Sequence, residues 1–390
     1  MRSFLLWLAT AYVAINGWIL WWFWRSLRGS RGVRWLTCLL LLALMACFPL
    51  LYPHGSWGGS AAGIWMLRAG CFWIGSFFYV LFMTLAVDLS DLWRRLRHGW
   101  RRNTERPRYA AAFGILVLTA AVGLGGWVNA SFPVLAETRL TVAVPLPEGE
   151  PLPASLTIAA IADIHLGRVN GVSRLMRAVD LVAPQNPDVV FFLGDVLDDH
   201  IAVDEAGLKK AVERLEPPLG TWGILGNHEY ISGPVEKSIE MIERSGIRLL
   251  RDEWVILADR LLVAGRDDYS RTYFQDGGRK SLKEILKDVP ADERRLTLVV
   301  LDHQPFHLEE AEEAAAALQL SGHTHNGQLW PFNLVVKRVY ENAHGYSRRG
   351  NTGYIVSAGT GTWGPPMRNN ARPEVLFVRI DFVEQDALEK

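Results

Sequence analysis

Cysteine is nearly missing from this sequence: of 390 residues only Cys38, Cys47 and Cys71 carry a thiol, all in apolar stretches near the N-terminus. Beyond residue 71 there can be neither a disulfide framework nor a thiolate zinc site. An excess of either charge is missing too. The 41 Lys and Arg are balanced by 41 Asp and Glu, so the basic footprint of a nucleic-acid binder is absent and no nucleic acid is expected as a structural partner. Internal repeats and low-complexity tracts are also absent. Charge is scarce locally as well. Four apolar runs, about Phe4 to Trp24, Val33 to Tyr52, Ala61 to Val87 and Tyr109 to Val134, contain Arg68 as the one charge inside a run, Arg34 belonging to the connection before the second.

What is present is hydrophobic and unevenly placed. Hydrophobic residues make up 49% of the chain and tryptophan occurs 16 times, mainly in the first third. Each apolar run approaches or exceeds the roughly 20 residues that cross a hydrocarbon core as helix. Four in succession are hard to bury inside a soluble fold. The first is too long for a signal-peptide core, has only Arg2 before it and lacks a small-residue cleavage site. Residues 1–134 are therefore expected to form a four-helix transmembrane region. Arg68 lies near the start of its span and can snorkel to the interface, and Trp18, Trp21, Trp22 and Trp24 suit interfacial anchoring. The first connection carries Arg25, Arg28, Arg31 and Arg34. The third carries Arg94, Arg95, Arg97, Arg101, Arg102, Arg106 and Arg108, whereas Pro53 to Ser60 has no Lys or Arg. The positive-inside rule places the two basic loops in the cytoplasm. The expectation is a multi-pass protein of the cell membrane, its N-terminus and everything after residue 134 outside the cytoplasm.

Residues 135–155 read as a leading strand and linker. Thr138 to Val144 alternates polar and apolar residues, and Pro145 to Pro153 is turn material. From residue 156 to 390 apolar runs alternate with helical patterns. Strands are expected at Leu156 to Ala162, Val189 to Leu193, Thr221 to Leu225, Leu261 to Ala264, Leu296 to Leu301, Leu318 to Ser321, Tyr354 to Ser357 and Val375 to Ile380. Helices are expected at Val172 to Val182, Glu205 to Leu215, Val235 to Ser245, Leu282 to Lys287 and Leu308 to Ala316. This order is that of an α/β domain with buried sheets. Trp330 to Gly350 fits neither pattern.

Polar residues follow five of these runs: Asp163-Ile164-His165, Gly194-Asp195, Gly226-Asn227-His228-Glu229, Asp302-His303 and Gly322-His323-Thr324-His325. Ligands of α/β sheets gather beyond the carboxyl ends of strands. Carboxylate, amide oxygen and imidazole are the donors that hold Mn, Fe, Zn or Ni. In extended chain, residues i and i+2 share a side, so Asp163 with His165, and His323 with His325, can each offer two donors to one place. Gly194, Gly226 and Gly322 allow sharp turns beside them. Singly these motifs are weak: Asp-x-His occurs by chance, Gly-Asp is commonly a turn, and His303 alone reads as a satisfied buried histidine. Their joint order is the signal.

That order resembles the calcineurin-like metallophosphoesterase superfamily, over Leu156 to the C-terminus. The tail Gly359 to Arg368 is similar to a membrane-tethered bacterial subgroup, grouped with phosphodiesterases and UDP-diacylglucosamine-type hydrolases. The resemblance implies a domain of two packed mixed β-sheets flanked by helices. It implies two divalent metal ions, one held by Asp163, His165, Asp195 and His325, the other by Asp195, Asn227, His303 and His323, with Asp195 bridging. Such a pair makes a shared hydroxide and clamps phosphoryl oxygens. His228, next to a ligand, would protonate the leaving oxygen or steady the transition state.

Simpler roles are expected elsewhere. His200, His307 and His344 match no ligand position; Asp198 and Asp199 read as caps, Asp267 and Asp268 as a turn that could line the cleft, and Arg368 as a surface residue or a phosphate binder. The expected activity is hydrolysis of a phosphoester or pyrophosphate bond. Location points to a membrane-associated or lipid-linked phosphate as substrate and the bilayer as partner. A phosphomonoesterase of soluble substrates is the enzymatic alternative, and a non-catalytic membrane module stabilised by metal is the alternative from another class.

Overall fold

The computed structural model describes residues 2–52, 59–98, 108–144, 155–275 and 277–384. The uncharged loop, Arg101, Arg102 and Arg106, and the Pro-rich connector fall largely or wholly outside them. The chain forms two units, Met1–Val128 with Gly364–Met367, and Asn129–Trp363 with Arg368–Lys390.

The apolar runs of the first unit are helices: α1 (Arg2–Ser26), α2 (Arg31–Leu51), α3 (Ala61–His98) and α4 (Tyr109–Ser131). All four contain stretches long and apolar enough to cross a membrane. A seam of Ile19, Trp22, Phe23, Leu41, Met45, Trp73, Phe77 and Val80 is buried among them. Large side chains such as Trp7, Trp65 and Phe113 stay exposed, the reverse of a water-soluble bundle. Gly70 allows α2 and α3 to touch, since a Cβ there would lie 2.5 Å from Phe48 N. Helix α3 runs 11 residues beyond the expected end at Val87. Asp88 ends the apolar run but not the helix, because Asp88 and Asp91 are neutralised by Arg25, 2.8 Å from Asp88, and by Arg108. Arg68 stacks over Trp65.

The second unit holds two six-stranded mixed sheets. Its strands are β1 (Val134–Val144), β2 (Leu156–Ile161), β3 (Val189–Leu193), β4 (Thr221–Ile224), β5 (Arg248–Leu249), β6 (Glu253–Leu257), β7 (Leu261–Gly265), β8 (Thr297–Leu301), β9 (Leu318–Ser321), β10 (Gly345–Arg349), β11 (Thr352–Val356) and β12 (Glu374–Glu384). One sheet runs β1-β12-β2-β3-β4-β5, the other β10-β11-β9-β8-β7-β6. Side-chain alternation builds the layers. Ile158, Ala160, Phe191 and Leu193 of the first sheet pack with Val263, Val299, Leu301 and Leu320 of the second. Their neighbours Ala159, Ile161, Val190 and Phe192 face helices α5 (Ser173–Val182), α6 (Glu205–Glu213) and α8 (Val235–Arg244). Between α6 and α8 a short helix, α7 (Asn227–Ile231), starts on the Gly226-Asn227-His228-Glu229 motif itself. Helices α9 (Arg271–Phe274), α10 (Leu282–Ile285) and α11 (Glu309–Glu313) follow. Helix α11 is shorter than Leu308 to Ala316 because Ala315 adopts φ 53°. The stretch that fitted no pattern contains α12 (Phe332–Val339) and β10.

Candidate metal centre

The parallel strands β2, β3 and β4 of one sheet and β8 and β9 of the other release their chains at one place. Asp163 and His165 follow β2, Asp195 follows β3, Asn227 and His228 open α7 after β4, His303 follows β8, and His323 and His325 follow β9. Distances link them in a continuous cluster. His165 Nε2 lies 3.0 Å from His325 Nε2 and 3.6 Å from Asp195 Oδ2. His325 Nε2 is 3.6 Å from Asp163 Oδ1. On the other side His303 Nε2 is 3.2 Å from both Asp195 Oδ2 and Asn227 Oδ1, and His323 Nδ1 is 2.8 Å from the same amide oxygen. Donor atoms of Asp163, His165 and His325, of His165, Asp195 and His228, and of Asp195, His303 and His323 form three overlapping groups, each within 4.8 Å. Asp195 belongs to two of them.

The backbone makes this convergence possible in a way that alternation does not. Asp163 and His165 have φ 53°, Asp195 φ 51°, His323 φ 71° and His325 φ 48°. The pairs are therefore not on extended chain, as the i, i+2 argument supposed; the strands end at Ile161 and Ser321, and left-handed turns aim the donors. Such conformations cost about 1–3 kcal/mol each and persist where the surroundings hold them. Here Asp163 N donates to Gly194 O and His165 N to Asp195 O. Gly194 has φ +85°. Gly226 has no such need: a Cβ there would stand 2.2 Å from Asp195 Oδ1, so its lack of a side chain makes room for the carboxylate.

The ring partners test whether the cluster suits a metal. His165 Nδ1 faces Asp198 at 3.4 Å and His303 Nδ1 lies 2.7 Å from Leu193 O. A proton on each Nδ1 leaves the Nε2 lone pair directed inward, the arrangement of a ligating imidazole. His325 is held differently. Arg368 donates to its Nδ1 at 3.0 Å and to Gly361 O, so an inward lone pair on His325 Nε2 requires the ring or the guanidinium to shift. With oxygen and nitrogen donors only, the set fits a borderline divalent ion.

Electrostatics separate the members. Burial raises Asp195, but His303 and His228 overcome this and hold it well below the usual carboxylate range. Burial depresses His323 to about 3, with His303 adding to the effect, so it is a neutral donor. Burial would also depress His228, yet Asp195 and the bond to Asp198 push it up to about 9.

Several residues stand elsewhere than the sequence suggested. Asp198 caps nothing: it lies 2.9 Å from His228 Nδ1 as well as beside His165. The Asp195-x-x-Asp198 spacing is the signal that could have found it. Glu229, buried, accepts from Asp195 N, Leu197 N and Gly226 N. Arg368 is fully buried rather than superficial, and so are Asp267 and Asp268. His200, His307 and His344, expected at no ligand position, meet Ser238, Glu309 and Glu374.

The family model of the calcineurin-like phosphoesterases matches residues 156–327. A metallophosphoesterase of Aquifex aeolicus is 32% identical over 270 residues, covering 67% of this chain and 97% of that one. A transmembrane protein with metallophosphoesterase domain from Danio rerio is 31% identical over 283 residues, 67% of this chain and 61% of that one. Among solved structures, a 5'-nucleotidase precursor from Thermus thermophilus aligns with 15% identity and a TM-score of 0.37, over 57% of this chain and 54% of that one.

Proposed function

Because the chain belongs to the calcineurin-like phosphoesterases, a family of divalent-metal hydrolases, we propose that it is a membrane-bound hydrolase of phosphoester or pyrophosphate bonds with a dinuclear centre, acting on a membrane-associated or lipid-linked phosphate. The observation that carries this reading is the gathering of seven donor side chains, Asp195 among them, from five strand ends. Asp163, His165, Asp195 and His325 would hold one ion, and Asp195, Asn227, His303 and His323 the other, with Mn, Fe, Zn and Ni all suited to the donor set. When bound, such a pair supplies Lewis-acid neutralisation of phosphoryl oxygens and a nucleophile at neutral pH.

The chain's own residues supply the proton and the orientation. His228 spends Nδ1 on Asp198, so Nε2 is the nitrogen it offers to a leaving oxygen. Trp363 packs edge-on to that ring with centroids 6.0 Å apart and is half exposed, giving the approach an apolar wall. The basic first and third connections favour an orientation with the second unit outside the cytoplasm.

The test uses the full-length chain in detergent with Mn²⁺, assayed on aryl phosphomonoesters, aryl phosphodiesters and a lipid pyrophosphate. Turnover that chelation and Asp195→Ala both abolish is expected. Activity surviving Asp195→Ala refutes the site, and turnover confined to the soluble monoester refutes the lipid-linked substrate. Protease added outside intact cells should cut the second unit; resistance there, with cleavage in leaky cells, overturns the orientation.

A further inference from the structure

Helix α12 contains no buried residue, although its sequence is amphipathic. At 3.6 residues per turn Phe332, Val335, Val336 and Val339 share one arc, with Asn333, Leu334 and Lys337 away from it and Arg338 at the flank. Val335 is 57% exposed, Val339 58%, and Leu334 61%. Trp330, just before the helix, is also exposed. From Gly322 to Tyr340 there is no Asp or Glu, while Lys337 and Arg338 add positive charge.

Hydrogen bonds inside the second unit fix the place of this helix. Asn129, in the last turns of α4, donates to Arg368 O at 3.0 Å. Asn369 N donates to Gln328 O, and the Gln328 side chain donates to Trp363 O at 3.0 Å. Gln328 stands two residues before Trp330. The chain entering α12 is thus tied to the residues on which the fourth apolar span, Tyr109–Ser131, ends, and a helix that crosses a bilayer ends at its surface. An apolar face flanked by Lys and Arg, beside an exposed Trp, is the composition of a helix lying in a membrane interface.

We propose that α12 lies in the headgroup region of the bilayer, its Val335 and Val339 face turned into the acyl boundary and Lys337 and Arg338 paired with anionic lipid phosphates. The helix begins seven residues after His325 in the chain. The seating of the helix does not depend on the phosphoester reading and is measured without turnover.

The experiment places a nitroxide at V335C or V339C in the full-length chain, with Cys38, Cys47 and Cys71 replaced by Ser, in nanodiscs with and without phosphatidylglycerol. Lys209 on α6, exposed, carries the reference label as K209C. The ratio of oxygen to nickel-chelate accessibility should be several-fold higher at 335 and 339 than at 209, and K337Q with R338Q should remove its dependence on phosphatidylglycerol. Equal nickel-chelate access at all three positions overturns the proposal, as does a dipolar contact between labels of two copies, which would make a second chain the occupant. If the cysteine-free chain does not fold, benzoylphenylalanine at position 335 of the native chain should crosslink to lipid; a crosslink to a second copy, or none, overturns it equally.

Discussion

Glu229 joins the loop bearing Asp195 to the loop bearing Asn227, and its removal should open both while leaving the rest of the domain closed. Its Oε2 accepts from Asp195 N at 3.1 Å and Gly226 N at 2.7 Å, and its Oε1 from Leu197 N at 2.9 Å. The residue is fully buried, so no water stands ready to replace it. In Glu229→Gln the amide oxygen can serve the two donors that share Oε2, leaving Leu197 N facing an NH₂ group. One orphaned buried donor costs about 1–3 kcal/mol. Glu229→Ala orphans all three; with partial relaxation the cost is about 3–5 kcal/mol, the range of the most damaging single changes. Hydrogen exchange of the full-length chain, read by mass spectrometry on peptides covering 189–200 and 221–231, measures this directly. A loss of 1.4 kcal/mol in a local opening equilibrium speeds exchange about tenfold. Glu229→Gln should therefore accelerate exchange in these peptides by about tenfold to a hundredfold, and Glu229→Ala by several hundredfold or more. Peptides from β8 and β9 serve as the reference. Unchanged protection in Glu229→Ala would refute the clamp, and equal acceleration in the reference peptides would show that Glu229 supports the whole domain instead.

Three further substitutions separate orientation, space and charge. Asp198→Asn should lower kcat by about 10–100-fold, the usual effect of losing a carboxylate that orients site imidazoles. Asp198 is one of the groups that raise His228 toward 9, so its loss lowers that value. The protonated fraction then falls sooner as pH rises, and the alkaline limb of the pH–rate profile should move to lower pH; an unmoved limb denies His228 the role of acid. Gly226→Ala drives a methyl into Asp195, 2.2 Å from Oδ1 and 2.5 Å from the amide nitrogen. Metal per chain by mass spectrometry should fall, whereas Gly171→Ala, with nothing within 4 Å, should retain the parent content. Asp302→Asn leaves the buried guanidinium of Arg266, 3.2 Å away, and Arg279, 2.8 Å away, short of counter-charge. It should destabilise the domain by about 3–5 kcal/mol, seen as a lower urea midpoint by circular dichroism; an unchanged midpoint would mean that Glu310 suffices for Arg266 and that Arg279 finds solvent.

The buried strands were legible because a strand covered on both faces leaves no polar alternation and reads as an apolar run. Val189–Leu193 and Leu318–Ser321 coincide with the expected bounds, and the site residues follow from standing directly after such runs. Elements at the margins were not legible for the converse reason. Strand β6 pairs with β7 alone and keeps Glu253 and Trp254 partly in solvent. Strand β10, Gly345 to Arg349, is mostly polar and exposed. Helix α12 is only eight residues long and leaves no residue fully buried. Tertiary partners override propensity in such segments, and no partner is written in the local sequence. The same holds for Arg368: a guanidinium reads as surface until the Gly361 carbonyl that receives it is known.

The strained backbone explains why the motifs can be read while their geometry cannot. Five non-glycine residues of the cluster adopt left-handed φ, at a combined cost on the order of 5–15 kcal/mol, a sum comparable with the whole stability of a typical domain. Asp and His enter this region more readily than other non-glycine residues, but that preference alone does not hold Asp163, His165 and His325 there. What holds them is a mesh of bonds between strand ends distant in sequence: Asp163 N to Gly194 O, His165 N to Asp195 O, Gly361 N to Asp163 O, and His323 N to the Asp163 carboxylate. Each bond joins two turns that would otherwise relax separately, and those from His323 and Gly361 to Asp163 link the ends of the two sheets. A site of this kind is preorganised by the core beneath it. Its donors are crowded while the domain is folded, with His165 and His325 nitrogens 3.0 Å apart, and because the backbone that aims the side chains is fixed, adjustment is left to the rings, as at His325, whose Nδ1 is held by Arg368. The sequence records which residues reach this point, whereas the assembled sheets determine the angles at which they arrive.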